Sequence, residues 1–266
     1  MIEPFLKWAG GKRWLAASCT LPSPSTFNRY IEPFLGGGAV FFALSPARAL
    51  LSDINSELIA LYQIVRDEPE RLKRILDLHQ ALHGPEHYYA VRAEVPDTAV
   101  ERAARMLYLN RTCWNGLYRV NRKGEFNVPI GTKTAVTSAD EDFKKISAAL
   151  SRADIRNSDF QSTIEEASIG DFLFVDPPYT VKHNMNGFVK YNENIFSWAD
   201  QVRLRDSVKA AAKRGAAVMI TNADHECVRE LYEQDFAYSS LARSSVLSGL
   251  SSGRGATTEA LFSANV

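Results

Sequence analysis

The stretch GDFLFVDPPYTV, residues 170 to 181, places Asp176, Pro177, Pro178 and Tyr179 directly after an apolar run. Phe172 to Val175 show no polar alternation, which predicts a strand covered on both faces, as in the middle of a parallel α/β sheet. Asp176 then stands at the strand's C-terminal end, where open α/β sheets bind ligands. The prolines fix φ and lack N–H groups, so they hold the acid and the ring in a set geometry. They also leave the Asp176 and Pro177 carbonyls free to accept hydrogen bonds. The chemistry on offer is hydrogen-bond acceptance beside an aromatic face. A strand-ending turn with a capping Asp is the plainer use of the same residues.

Two glycine-bearing segments extend the candidate site. EPFLGGG, residues 32 to 38, sets glycines between a predicted strand and a predicted helix, where backbone can approach a ligand closely. A dinucleotide fingerprint starting at Gly36 needs glycine at 41, which is Phe41, so phosphate binding is weakly supported. What fits is the acid Glu32 before the glycines and Asp53 at the end of the next strand, where a carboxylate can accept from ribose hydroxyls. An ordinary tight strand-to-helix turn accounts for the glycines equally well. KWAGGK, residues 7 to 12, fails as a phosphate loop because Leu6 and Arg13 stand where glycine and Ser or Thr are required. Lys12 beside flexible glycines can still hold a small carboxylate.

These residues need elements to position them. Tyr30 to Glu32 read as strand, Gly36 to Gly38 as a turn into a helix, and ALLSD as a strand ending at Asp53 before a helix from about Ser56. From roughly 60 to 110 the pattern is helical and charged. The turn-rich NRTCWNGLYRVNRKGEFNVPIG follows, and its alternating GEFNVPI predicts a hairpin or extended arm. ADIRN, DFLFVD and AAVMITN then read as strands with a helix over 197–214, and a mobile Ser/Gly loop precedes a last strand. One α/β domain interrupted by a mainly helical, basic insertion is the result.

At 266 residues with 45% hydrophobic content the chain can bury one large core or two linked ones. No long apolar run resembles a membrane span and no segment resembles a signal peptide, so cytoplasmic residence is the default expectation. Cys19, Cys113 and Cys227 form no CxxC pair, so neither a zinc site nor a disulfide framework is indicated, and no metal is expected. Equal totals of 31 basic and 31 acidic residues hide a local asymmetry: seven Lys and Arg between Arg102 and Lys133 face Glu125 alone. A second basic run, Arg203 to Arg214, reads as the solvated face of a helix.

Taken in order, FLKWAGGK, YIEPFLGGGAVFF, LSDIN, LYLNRTCWNGLYRVNRKGEFNVPIG and DPPY resemble the Dam-type DNA adenine-N6 methyltransferases of the D12 class, alpha group. The resemblance covers nearly the whole chain, most weakly over 65–100 and 195–235. It implies a Rossmann-like methyltransferase sheet of seven strands, S-adenosylmethionine as methyl donor, and double-stranded DNA as partner. It divides the chain into a catalytic domain, 1–60 with 143–266, and a target-recognition domain, 61–142. Trp8, Lys12, Phe34, Gly36, Gly38 and Asp53 match the family's cofactor contacts. Asp159 and Phe160 of NSDF match the element flanking the cofactor adenine, and Asp176 counts both as cofactor contact and as catalyst with Pro177, Pro178 and Tyr179. In the basic arm the resemblance implies that Arg119 reads a guanine and that Arg111 and Asn121 touch backbone phosphates. It also implies that Trp114 and Asn115 lie near the space left by a flipped base, and that Leu117 and Pro129 lie on the DNA-facing side.

The resemblance gives the tetrapeptide a chemistry. An exocyclic adenine amine is a poor nucleophile because its lone pair is delocalised into the ring. If Asp176 and the Pro177 carbonyl accept its two hydrogens, the lone pair is left pointing at the sulfonium methyl. Tyr179 would stack on the extruded base. Trp114 stands where the best-known members carry a smaller aromatic, and Thr132 and Lys133 where they carry an aromatic, so a GATC target stays open. Amino-methylation of RNA or of cytosine N4, and a silent DNA-binding regulator, are the competing expectations.

Overall fold

The computed structural model describes residues 2–17, 21–121, 123–138, 141–181, 196–244 and 256–266. Its strands are β1 (Arg29–Glu32), β2 (Ala49–Asp53), β3 (Ala153–Asn157), β4 (Asp171–Val175), β5 (Ala217–Ala223), β6 (Ala237–Ser244) and β7 (Ala256–Ala264). They make a seven-stranded sheet in the order β3-β2-β1-β4-β5-β7-β6. Parallel ladders join β2 to β3, β1 to β4 and β4 to β5, whereas β7 runs antiparallel to both β5 and β6. This is a Rossmann-like α/β fold of the methyltransferase kind. The expected strand Phe172 to Val175 is β4, and all five of its residues are buried. The expected Ser/Gly loop before β7 lies outside the described residues. Sequence reasoning missed β6, an edge strand whose residues 237–240 are all exposed, so no apolar periodicity announced it.

The chain divides into two compact units, Met1–Leu21 with Leu35–Asn157 and Pro22–Phe34 with Ser158–Val266. The first holds β2, β3 and seven helices: α1 (Arg13–Ala17), α2 (Ala39–Leu44), α3 (Ser56–Asp67), α4 (Pro69–Leu82), α5 (Pro85–Ala93), α6 (Ala99–Thr112) and α7 (Phe143–Leu150). Their starts follow from sequence. Asn55 and Thr98 accept from backbone N–H groups of the first turns of α3 and α6, and α4 and α5 each begin with proline, which loses nothing at that position. Along α6, Val100, Ala103, Ala104, Leu107 and Tyr108 are buried at helical spacing. After α6 the chain runs out and back as an arm, bridged antiparallel at Val120 with Phe126 and at Cys113 with Ile130. The expected hairpin or extended arm is thus a pair of antiparallel bridges without regular strands among the described residues.

The second unit holds β1, β4, β5, β6 and β7 with α8 (Phe160–Glu165), α9 (Trp198–Lys213) and α10 (Glu226–Tyr232). Ser197 and Asp200 close a reciprocal capping box at the start of α9. On this helix Arg203, Arg205 and Lys209 form ion pairs with Asp159, Asp206 and Asp235. The strand order reverses direction between β1 and β4, so the C-terminal ends of those strands, Glu32 and Val175, flank the switch point where such sheets bind ligands.

Between α4 and α5 His79 Nδ1 and His87 Nε2 lie 3.0 Å apart, and the His79 ring stacks on Tyr108 of α6. Burial, and then the neighbouring His87, lowers His79 from 6.5 to about 4; burial lowers His87 as well. Between those two values the unfolded chain binds the additional proton, so stability is expected to fall as pH drops from about 6.5 to about 4. His79→Gln is expected to flatten that fall in urea midpoints measured across the same window.

Candidate active site

The turn after β4 is rich in acceptors and poor in donors, because Pro177 and Pro178 supply no N–H. Its partners come from other elements of the second unit. Thr221, fully buried on β5, donates its hydroxyl to Asp176 Oδ1 at 2.7 Å. Gln201, fully buried on α9, reaches the Pro178 carbonyl at 3.5 Å, while its own oxygen accepts from Asn222 at 3.2 Å and Tyr232 at 3.4 Å. Tyr179 donates to Glu259 Oε2 of β7 at 2.8 Å, and Thr180 donates to the Phe196 carbonyl at 2.6 Å. Burial, then the carboxylates of Asp176 and Glu259, pushes the Tyr179 hydroxyl well above its usual range, so it stays protonated as a donor. On the adjacent strand Tyr30 donates to the buried Glu32 at 2.9 Å.

Phe34 and Phe160 stack in the same unit with ring centroids 5.3 Å apart, and Phe196 meets both rings edge-on or tilted. Arg203 lies 4.0 Å above the Phe160 ring and forks onto Asp159 at 2.6 and 3.0 Å. Hydrogen bonds from Arg203 hold Asp159 below the usual carboxylate range, and its side chain also caps α8 through the Gln161 N–H.

In the first unit, Gly36 and Gly38 adopt φ of 47° and 63°, the left-handed region that side chains disfavour. Space forbids them too: a Cβ on Gly36 would lie 2.8 Å from Trp8 Cδ1, and one on Gly38 would lie 2.9 Å from the Tyr62 hydroxyl. Asp53 accepts from the Gly36 N–H and the Asn55 N–H, each at 3.0 Å, on different carboxylate oxygens. Burial raises its pKa, and those N–H groups work against the rise. Lys12 is buried and donates to the Gly10 carbonyl at 2.7 Å.

The arm separates its candidate residues into two kinds. Trp114, 52% exposed, lies with exposed Asn115, Leu117, Arg119 and Pro129, and the Trp114 N–H donates to the Pro129 carbonyl at 2.9 Å. Among the described residues the Arg119 side chain is held at Nε alone, by Asn127 Oδ1 at 3.0 Å. Asn121 instead organises the tip, its Oδ1 accepting from the Lys123 and Glu125 N–H groups. Arg111 is 12% exposed, pairs with Glu141, and donates to the carbonyls of Phe5 and Val136 at 2.6 Å each. The guanidinium expected to touch a phosphate is thus engaged inside the protein. Thr221, Gln201 and Glu259 were missed by sequence reasoning; a lone Glu inside TTEALF was the one available signal.

The second unit carries a switch-point carboxylate on a donor-poor Pro-Pro turn followed by an aromatic, and the first unit carries a glycine loop closed by its own acid, features of an α/β transferase. The chain matches the model of the D12 class N6 adenine-specific DNA methyltransferase family over residues 8–246, and it belongs to that family. It is 39% identical to the Type II methyltransferase M1.LlaDCHI of Lactococcus lactis subsp. cremoris, over 97% of this chain and 94% of that one. It is 35% identical to the Type II methyltransferase M.MjaIII of Methanocaldococcus jannaschii, with 84% of each covered. To the DNA adenine methylase of Haemophilus influenzae it is 36% identical, over 86% of this chain and 82% of that one. The protein is an adenine-specific DNA methyltransferase, and its macromolecular substrate is DNA. No helix among the described residues is long and apolar enough to cross a membrane, and no metal-binding group of three or more His, Cys, Asp or Glu is found among them.

Because Arg111 joins both ends of the arm through a part-buried ion pair, Arg111→Ala leaves the Glu141 carboxylate without its cation. The expected loss is about 1–3 kcal/mol of unfolding free energy, measurable by urea denaturation.

Proposed function

We propose that the methyl donor is S-adenosylmethionine and that the acceptor is an adenine turned out of duplex DNA into the space beside Asp176 and Tyr179. S-adenosylmethionine supplies, when bound, a sulfonium-activated methyl group. The donor set suits it. A carboxylate carries about four lone-pair sites, so Asp53, which accepts from the Gly36, Asn55 and Ile54 N–H groups, keeps acceptor capacity for a ribose hydroxyl. Trp8, Lys12, Phe34, Gly36, Gly38, Asp159 and Phe160 complete this binding set.

The observation that carries the catalytic reading is the anchoring of the Asp-Pro-Pro-Tyr turn by Thr221, Gln201 and Glu259. It presets acceptors before any substrate arrives, which is how a polar site lowers a barrier without reorganising. Asp176 and the Pro177 carbonyl accept the two amine hydrogens, directing the nitrogen lone pair outward, and Tyr179 supplies a stacking face. Residues 61–142 serve as the recognition domain. There Arg119 reads a guanine, Trp114 and Asn115 approach the vacated position, and Leu117, Asn121 and Pro129 flank the contact. The target contains an adenine with a neighbouring guanine, as GATC does, and the enzyme works in the cytoplasm where its DNA lies.

Two experiments test this reading. Asp176→Ala is expected to lower single-turnover methyl transfer at least about 10²-fold with DNA affinity retained, and near-native turnover in a folded variant would remove Asp176 from the mechanism. Arg119→Ala is expected to relax preference at one guanine by about 1–3 kcal/mol, read as methylation rates on singly substituted duplexes. Equal loss of activity on every duplex, with preference intact, would refute base reading by Arg119.

A further inference from the structure

Tyr118 is the inward-facing member of the arm segment that carries Leu117 and Arg119. Extended chain alternates, so with Leu117 and Arg119 exposed, Tyr118 points beneath the arm. Its ring stacks on Trp8 with centroids 5.4 Å apart and planes 24° from parallel. Its hydroxyl donates to Glu57, and Asn55 lies within hydrogen-bond reach of the same hydroxyl. Burial, and then Glu57, pushes that hydroxyl above its usual range, so it remains a donor.

Two of these partners adjoin the proposed cofactor residues. Trp8 fills the space a side chain on Gly36 would need, and Asn55 donates its N–H to Asp53, four residues before Glu57. Trp8 has little freedom to withdraw, because consecutive residues of α6 hold the backbone on its N-terminal side. Asn110 accepts from the Lys7 N–H at 2.9 Å and donates to the Lys7 carbonyl at 2.8 Å, while Arg111 holds the Phe5 carbonyl. One arm residue therefore contacts the glycine loop's neighbour and the Asp53 turn while its two chain neighbours face outward.

We propose that Tyr118 is a positioning residue that couples methyl-donor binding to DNA binding, each ligand raising the affinity for the other through the Trp8 stack and the Glu57 bond. A ligand that orders Trp8 and the Asp53 turn also orders Tyr118, and with it the outward pair Leu117 and Arg119, so the second ligand loses less freedom on binding. The proposal rests on S-adenosylmethionine being the donor.

Calorimetric titration of S-adenosylhomocysteine, the demethylated product, into the full-length enzyme avoids turnover. It is run with and without a short duplex carrying the enzyme's methylated site. The duplex is expected to tighten binding to the wild-type protein at least about fivefold. Tyr118→Phe, which keeps the ring and loses the Glu57 bond, is expected to cut that factor about threefold, and Tyr118→Leu to bring it within about twofold of unity. A purely structural role would change stability or both affinities and leave their ratio intact. The proposal is overturned if the wild-type factor is unity, or if both variants keep the wild-type factor. Where Tyr118→Leu does not fold, Tyr118→Phe decides alone, its undiminished factor overturning the proposal. Absence of any S-adenosylhomocysteine binding to the wild-type enzyme would bring down the donor assignment first, a result distinct from binding without coupling.

Discussion

The hydrogen bond from Thr221 to Asp176 is the contact around which the Asp-Pro-Pro-Tyr turn is arranged. A carboxylate at the end of a fully buried strand is costly unless a donor meets it. The two prolines that follow cannot be that donor, since they lack the N–H groups a turn ordinarily uses. Donors come from elsewhere in the fold, from Thr221 on β5 and Gln201 on α9, while Glu259 on β7 supplies the acceptor for the Tyr179 hydroxyl. Thr221 and Gln201 are legible as a pair only once the turn's donor deficit is recognised.

The same accounting separates the arm's cations by what they do. Arg119 keeps most of its guanidinium available at an exposed position. Arg111, eight residues earlier in the same basic stretch, is engaged by a carboxylate and two carbonyls and joins the entry of the arm to its exit. Charge density along the sequence treats the two alike, but burial does not. The same holds on α9, where Arg203 serves Asp159 and Phe160 and is no freely solvated cation.

Local sequence patterns determined much of this protein. The uninterrupted apolar run before Asp176, the acid ending β2, the glycines before α2 and the capping residues of α3 and α6 are each set by neighbours a few residues away. Short-range sterics and hydrogen bonding are enough to announce them. β6 escaped because an exposed edge strand has no buried face to impose a period.

Tertiary structure decided the partners. Which hydroxyl meets Asp176, which carboxylate receives Tyr179, and whether Arg111 faces solvent or Glu141 depend on residues separated by 45, 80 and 30 positions. A side chain's type states which bonds it can make, and the sequence around Asp176, Tyr179 and Arg111 stated that much. Which of those bonds form is fixed by sheet order and by the burial it creates, because only there does an unpaired polar group become expensive enough to select its partner.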